Sequence, residues 1–372
     1  MDFVEYIFER SDCKTKEGSF YDPFLINNYE GFVKNFEAAV ENVKAKKAVF
    51  LLSVAKTEKE KKAVDSVRSV LYDLDKTNKE IAFFDVGNIH SNLLTHDKLA
   101  SSLKYFFEEL YGIWDKENLR FLILLPDRAL LPDFLSSIPE KLFNITDINP
   151  HFDLSDTVKM LTVRGNLLIY NLIGAMQFYF NYELHDSQYN EIFVRFGDVK
   201  EDLYSYFEPV ARESMVVINS LDSVASAFAK GSCLRSANGF DAYSFSALSH
   251  IEALSPAVRF NFYTSFCNLN TDDSGSSASL LAQSLWLYLN TFHKAVRENP
   301  LEKPTPDHIE IIHQLNTDID FDLTFYHSTF TGRWWIQIPG SAFVFSISEL
   351  EYNSLKKGIV PDRILKLIKN FS

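Results

Sequence analysis

The sequence predicts an α/β protein: one large domain built on a mainly parallel sheet, with a small C-terminal β-hairpin and helix appended. Three observations predict it. Short apolar runs alternate with longer segments of helical period, the pattern of βαβ units. The runs are apolar throughout instead of alternating, as suits strands covered on both faces. Apolar residues make up 46% of 372 positions, with 33 Phe and 17 Tyr, which supplies the side-chain volume for a substantial core.

In chain order, Ala48 to Val54 (AVFLLSV) is a buried strand. It leads into a helix over Glu58 to Leu74, where Ala63, Val67, Val70, Leu71 and Leu74 share one face. Ile81 to Val86 is a second strand, stopped by Gly87-Asn88, and His96 to Tyr111 a helix repeating at Leu99, Leu103, Phe106, Phe107 and Leu110. Leu119 to Leu125 is a third strand, stopped by Pro126-Asp127, and Leu142 to Ile148 a fourth. Leu167 to Leu172, Ser214 to Ile218 and Val258 to Tyr263 continue the sheet, with helices around Ser244–Ala253 and Ser279–His293. In the tail, Asp322 to His327 and Arg333 to Pro339 read as an antiparallel pair, followed by a short helix from Pro361. The expected division is 1–300 for the main domain and 301–372 for an appendage packed on it, with Pro300 to Pro306 as linker. Asp273 to Ser277 reads as the most flexible loop.

Composition narrows the function classes. With 37 basic and 50 acidic residues the net charge is −13, which repels nucleic acid and anionic membranes. The short basic run Lys44 to Lys47 does not reverse this. No stretch of about 18 uninterrupted apolar residues is present, so no membrane span is expected. Cys13, Cys233 and Cys267 lie far apart, without a CxxC pair, and read as reduced thiols. The N-terminus Met1-Asp2-Phe3-Val4-Glu5 lacks the basic start of a signal peptide. A cytoplasmic protein is the expectation.

Chemistry in an open α/β sheet sits beyond the carboxyl ends of the strands. Three ends carry polar residues: Pro126-Asp127-Arg128, Asp147 through Asp153, and Asn219-Ser220-Leu221-Asp222. Asn149, His151 and Asp153 alternate, so they present three donors on one side of an extended segment. Imidazole with carboxylates suits a divalent first-row metal. No GxGxxG, P-loop, HExxH or G-x-S-x-G pattern occurs, which disfavours the common nucleotide sites and a serine or cysteine hydrolase.

Several short strings lie in collinear order with a known family. They are Lys62 to Arg68 with Leu71-Tyr72, Asp85-Val86-Gly87-Asn88, and Arg195 to Val199 with Glu208-Pro209. Asn238-Gly239-Phe240, Phe325-Tyr326, Arg333-Trp334-Trp335 and Val360-Pro361-Asp362-Arg363 follow. Together with the strand ends they resemble the arginase, agmatinase and formimidoylglutamase family (the ureohydrolases), in a divergent bacterial branch. The resemblance implies a three-layer α/β/α sandwich and homo-oligomeric assembly. It also implies two manganese ions bridged by hydroxide, hydrolysing a C–N bond of a linear amidine.

The three metal motifs of that family are damaged here. G-G-x-H falls on Leu124-Leu125-Pro126-Asp127, replacing the histidine by Asp127. D-A-H-x-D falls on Asn149-Pro150-His151-Phe152-Asp153, keeping His151 and Asp153 but turning the leading aspartate into Asn149. D-x-D-x-x-D falls near Asn219, with Asp222 matching the second aspartate after a one-residue shift. The glutamate that grips the guanidinium corresponds to Thr264. An amide is a weak ligand for a hard dication and cannot bridge two of them. The expectation is therefore a decayed metal centre without a resident cofactor, in a non-catalytic binding or scaffold protein with an unidentified protein partner. The alternative is a metal-dependent amidine hydrolase that holds manganese or another divalent ion at an altered or mononuclear site of Asp127, His151, Asp153 and Asp222. A surface-facing Trp334 or Trp335 beside Arg333 is a candidate contact for a partner, against ordinary packing of both rings.

Overall fold

The computed structural model describes residues 7–9, 47–75, 80–180, 190–302, 305–316 and 321–371. The acidic N-terminal residues, Cys13, Lys44 to Lys46 and His185 lie outside them. The elements run β1 (Phe8–Glu9), β2 (Lys47–Ser53), α1 (Glu58–Asp73), β3 (Ile81–Ile89), α2 (His96–Tyr111), β4 (Leu119–Leu125), α3 (Leu131–Ser137) and β5 (Phe143–Ile148). Next come α4 (Ser155–Val163), β6 (Leu167–Ala175), β7 (Glu191–Arg195), α5 (Phe196–Glu201), α6 (Leu203–Glu213), β8 (Val216–Ser220), α7 (Ala242–Leu254), β9 (Phe260–Thr264) and α8 (Ser276–Thr291). The last part holds β10 (Ile309–Asn316), β11 (Phe321–Ser328), β12 (Trp334–Gln337), β13 (Val344–Ile347), α9 (Glu349–Lys356) and α10 (Asp362–Phe371).

Nine strands form one sheet in the order β1-β3-β2-β4-β9-β8-β5-β6-β7, parallel except for the short β1. Successive residues of β2 divide between two cores. Val49 and Leu51 pack with α1, α6, α7 and α8 on one face, while Ala48, Phe50 and Leu52 pack with α2, α3 and α4 on the other. This is the three-layer sandwich, and it explains why the central strands carry apolar residues on both faces. α1 shows how local sequence sets an element: Thr57 caps its first turn by accepting from the Glu60 amide at 3.2 Å. Its buried face then delivers Arg68 to the sheet, where Nε and Nη2 donate to Asp85 at 2.8 and 3.1 Å and Nη1 to Asn88 at 2.9 Å. Tyr72 donates to the same carboxylate.

The tail is larger than the expected hairpin. β10 and β13 flank the β11–β12 pair to make a four-stranded antiparallel sheet. Both flanking strands mix charged or polar residues with apolar ones, which masks their period. Arg212 of α6 fastens the sheet to the main body, donating to the carbonyls of Trp334 (3.0 Å) and Ile347 (3.3 Å), while Arg363 of α10 ties the tail together, pairing with Glu351 of α9 at 2.7 Å and donating to the Ser346 carbonyl at 2.7 Å.

Arg333, Trp334 and Trp335 belong to this fastening. Trp335 is 5% exposed and stacks on the Arg212 guanidinium at 4.7 Å. Trp334 is half-buried between the rings of His327 (4.1 Å) and Tyr352 (4.0 Å). Arg333 donates to the carbonyls of Val296 and Leu254 and faces Glu208 at 3.4 Å. Of the two readings, the structure has packing of both rings in place of a surface-facing one, since Trp334 lies between two neighbouring rings. Trp335→Ala is expected to cost about 3–5 kcal/mol, read as a lower urea midpoint at unchanged slope.

Two other expectations are corrected. Residues 273–277 form no loose loop: Asp272 accepts from the Ser277 amide (2.8 Å) and hydroxyl (2.6 Å), and α8 already begins at Ser276. The cysteines at 233 and 267, read as separate reduced thiols, are joined as a disulfide with Cα atoms 5.6 Å apart. The loops following β8 and β9, neighbours in the sheet, bring them together across 34 residues of sequence.

Candidate functional site

The strand order places the carboxyl ends of β4, β9, β8 and β5 side by side at the centre of the sheet. Leu125 is in register with Thr264, Thr264 with Ser220, and Asn219 with Ile148. Four loops therefore open into one crevice, the position at which open α/β sheets carry their chemistry.

Its centre is the guanidinium of Arg128. The chain leaves β4 through Pro126, and Asp127 turns outward to cap the next turn, accepting from the Ala129 amide at 3.0 Å. Arg128 turns inward. Its side chain is only 9% exposed and spans two carboxylates: Nη1 and Nη2 donate to Asp147 at 3.2 and 2.7 Å, while Nε and Nη2 donate to Asp153 at 2.9 and 2.8 Å. Nη1 also reaches the hydroxyl of Thr264 at 3.3 Å. Two bidentate pairs on one planar fork are the strong form of the interaction.

Asp147 has no exposure and also accepts from the Tyr170 hydroxyl at 2.7 Å. Burial pushes its carboxyl above the ordinary range, while Arg128 and Tyr170 pull it back. Burial would lower the Arg128 pKa, but Asp147 and Asp153 hold it above its ordinary value. Burial beside Asp147 drives the Tyr170 phenol well up, so it stays a donor.

The other expected residues divide into two groups. Asn149 is buried and donates Nδ2 to Asp153 at 3.2 Å, and its Oδ1 has no hydrogen-bond partner. His151 is partly exposed, with Nε2 3.8 Å from Asp153. Asp222 accepts from the Leu234 amide at 2.6 Å, and burial raises its carboxyl, with His151 and Arg128 among the charges opposing that rise. Asn149, His151, Asp153, Asp222 and Thr264 thus surround the crevice. Asp127 has turned out of it.

Asn219 does not face the crevice. Its Nδ2 donates to Glu252 of α7 at 3.1 Å, on the side of the sheet facing that helix. Alternation along β8 sends the next residue, Ser220, the other way, where its hydroxyl donates to Ser265 at 2.9 Å. Ser220 stands two residues before Asp222, which restores the D-x-D spacing without the shift that Asn219 needed. Sequence reasoning placed Ser220, Arg128 and Asp147 at polar strand ends but gave none of them a role. The signal for Ser220 was the two-residue spacing to Asp222, and for Asp147 an acid near the carboxyl end of a strand.

A manganese pair does not fit this donor set. The two carboxylates nearest the centre are bound to a cation carried by the chain itself. The position expected to supply a histidine is an outward-turned Asp127. The first residue of the D-x-D spacing is a serine. Among the described residues no group of three or more His, Cys, Asp or Glu side chains is placed to hold a metal ion.

Solved structures share this architecture. Formimidoylglutamase of Bacillus subtilis aligns at TM-score 0.57 and 14% identity, covering 67% of this chain and 88% of that one. Agmatine ureohydrolase of Thermoplasma volcanium aligns at 0.53 and 16%, covering 79% and 98%. Oxidized formiminoglutamase of Trypanosoma cruzi, solved with manganese, aligns at 0.56 and 13%, covering 69% and 98%. No protein-family model and no curated protein sequence matches the chain. The fold is the arginase-like α/β sandwich of the ureohydrolase structures.

Proposed function

We propose that this chain is a ureohydrolase-family protein in which Arg128 has taken the place of the dinuclear manganese centre, leaving a non-catalytic binding or scaffold protein. The fold and the collinear strings support the family. The observation that carries the loss of chemistry is the Arg128 guanidinium, clamped by Asp147 and Asp153 at the crevice where the resemblance expects two dications. A fixed monovalent cation occupies the hydrogen-bonding sites of both carboxylates, yet it has no open coordination position at which to activate water. Thr264, bonded to Arg128, stands where a carboxylate would grip a substrate guanidinium, so that anchor is also missing.

Titrating the purified chain with manganese tests this. The expected result is no stoichiometric binding by calorimetry up to millimolar metal, and no release of urea, ammonia or formamide from arginine, agmatine or formiminoglutamate. Stoichiometric manganese, lost together with turnover in His151→Ala and Asp153→Ala, would establish the metal-dependent hydrolase instead.

A further inference from the structure

The loop between β8 and α7 folds back over the end of β9 and is secured close to the crevice. Its outer part closes on itself: Phe240 donates to Ser223 (2.8 Å), and Ala225 donates to Phe240 (3.0 Å). Gly239 makes the fit possible, since a Cβ there would lie 2.4 Å from the Ala225 nitrogen. The inner part is fastened around Cys233. The Cys233 amide donates to Ser265 (3.1 Å), the Asn268 amide to Gly231 (3.1 Å), and Asn268 Nδ2 to Ser232 (3.1 Å). The Leu234 amide, one residue on, holds Asp222. Ser265, bonded to Ser220, follows Thr264 and is the described non-glycine residue with positive φ, at 64°. The bond between Cys233 and Cys267 is the covalent link in this network, and Cys233 is exposed while Cys267 is half-buried.

We propose that Cys233 and Cys267 form a reversible clip, closed as a disulfide and open as two thiols, that sets how firmly the loop after β8 holds Asp222 and Thr264 against the Arg128 cradle. An exposed sulfur is open to thiol–disulfide exchange, the property that separates labile bridges from structural ones. In the opening step a small-molecule thiolate attacks Sγ of Cys233 and the Cys233–Cys267 bond breaks. Cys267 leaves as a thiolate and takes a proton from water. A second small-molecule thiol then attacks the mixed disulfide and releases Cys233. Two electrons pass to the protein, and the two small thiols leave as one disulfide. Closure is the reverse. The functional meaning rests on the proposed reading of the Arg128 cradle as the replacement of the metal centre, whereas the exchange chemistry does not.

The test equilibrates the full chain across a series of reduced and oxidised glutathione buffers. Alkylation and peptide mass mapping then distinguish Cys233 and Cys267 from Cys13. Hydrogen exchange is followed at the Leu234, Cys267 and Asn268 amides. A single two-electron transition of a Cys233–Cys267 peptide is expected. On reduction those amides should exchange roughly tenfold faster, a change reproduced by the Cys233→Ser, Cys267→Ser double variant. The proposal is overturned if both thiols remain alkylatable in the most oxidised buffer. It is equally overturned if the bridge forms and breaks with no change in exchange at those amides. Neither outcome depends on manganese binding, so failure of the clip and failure of the non-catalytic reading remain separate results.

Discussion

Arg128→Ala is expected to destabilise this protein by about 3–5 kcal/mol at neutral pH, the cost of leaving a buried carboxylate without its counter-ion. Asp147 is fully buried, and Arg128 supplies two of its three hydrogen-bonded contacts, Tyr170 the third. Without the guanidinium, burial and the neighbouring Asp153 both push Asp147 further up. The sign of the pH dependence follows. In the variant the folded-state pKa of Asp147 lies above its unfolded value of 3.8, so the folded form binds the extra proton. The penalty is absent below 3.8 and builds as the pH rises from there toward the raised folded value. Urea denaturation of wild type and Arg128→Ala at pH 4 and pH 7 measures this as a gap in midpoints that opens with pH. Adding Asp147→Asn to Arg128→Ala should recover most of the loss, since it removes the stranded charge. A constant gap, or no recovery in the double variant, would show that Arg128 contributes packing and not charge compensation.

How much of this was legible in the sequence depends on what each residue needed. Strands such as Ala48 to Val54 are continuous apolar runs, and burial on both faces writes them directly into composition. β7 was not legible: it is a five-residue edge strand bounded by Glu191 and Arg195, too short and too charged to show a period. β10 was hidden in the same way by Glu310 and His313. At the crevice, the damaged motifs marked the strand ends that meet around Arg128 but not which side chain would point inward. Arginine after a Pro-Asp turn normally reads as solvated surface, and only the approach of Asp147 and Asp153 from the end of β5, on the far side of β9 and β8, shows it entering the sheet. Asn219 and Ser220 differ by one position, and in a strand one position decides the face. No string comparison fixes that. The cysteine pair was invisible because the adjacency of β8 and β9 is a property of topology.

The displaced Asn219 exposes the second large effect. On the α7 side of the sheet, Asn219 and Asn261 both donate to one oxygen of Glu252, at 3.1 and 2.5 Å, while the other oxygen has no hydrogen-bond partner. Glu252 has no exposure, and burial pushes its carboxyl up to about 8 against the pull of the two amides. The folded value lies above the unfolded 4.5, so this group contributes its full stability below pH 4.5 and loses it as the pH rises through about 8. That interval corresponds to roughly 5 kcal/mol. Glu252→Gln keeps the shape of the neutral acid without the ionisation. Its carbonyl can accept from Asn219 and Asn261 as the carboxyl oxygen does. The variant should match wild type near pH 4.5 and exceed it by about 3 kcal/mol at pH 7, with a larger margin at pH 8. Thermal or urea unfolding at those three pH values reads the divergence. Glu252→Ala, by contrast, opens a cavity and should lose stability at every pH. Curves for Glu252→Gln and wild type that run parallel from pH 4.5 to 8 would mean that the carboxyl ionises in the folded chain as readily as in the unfolded one, despite its burial beneath β8 and β9.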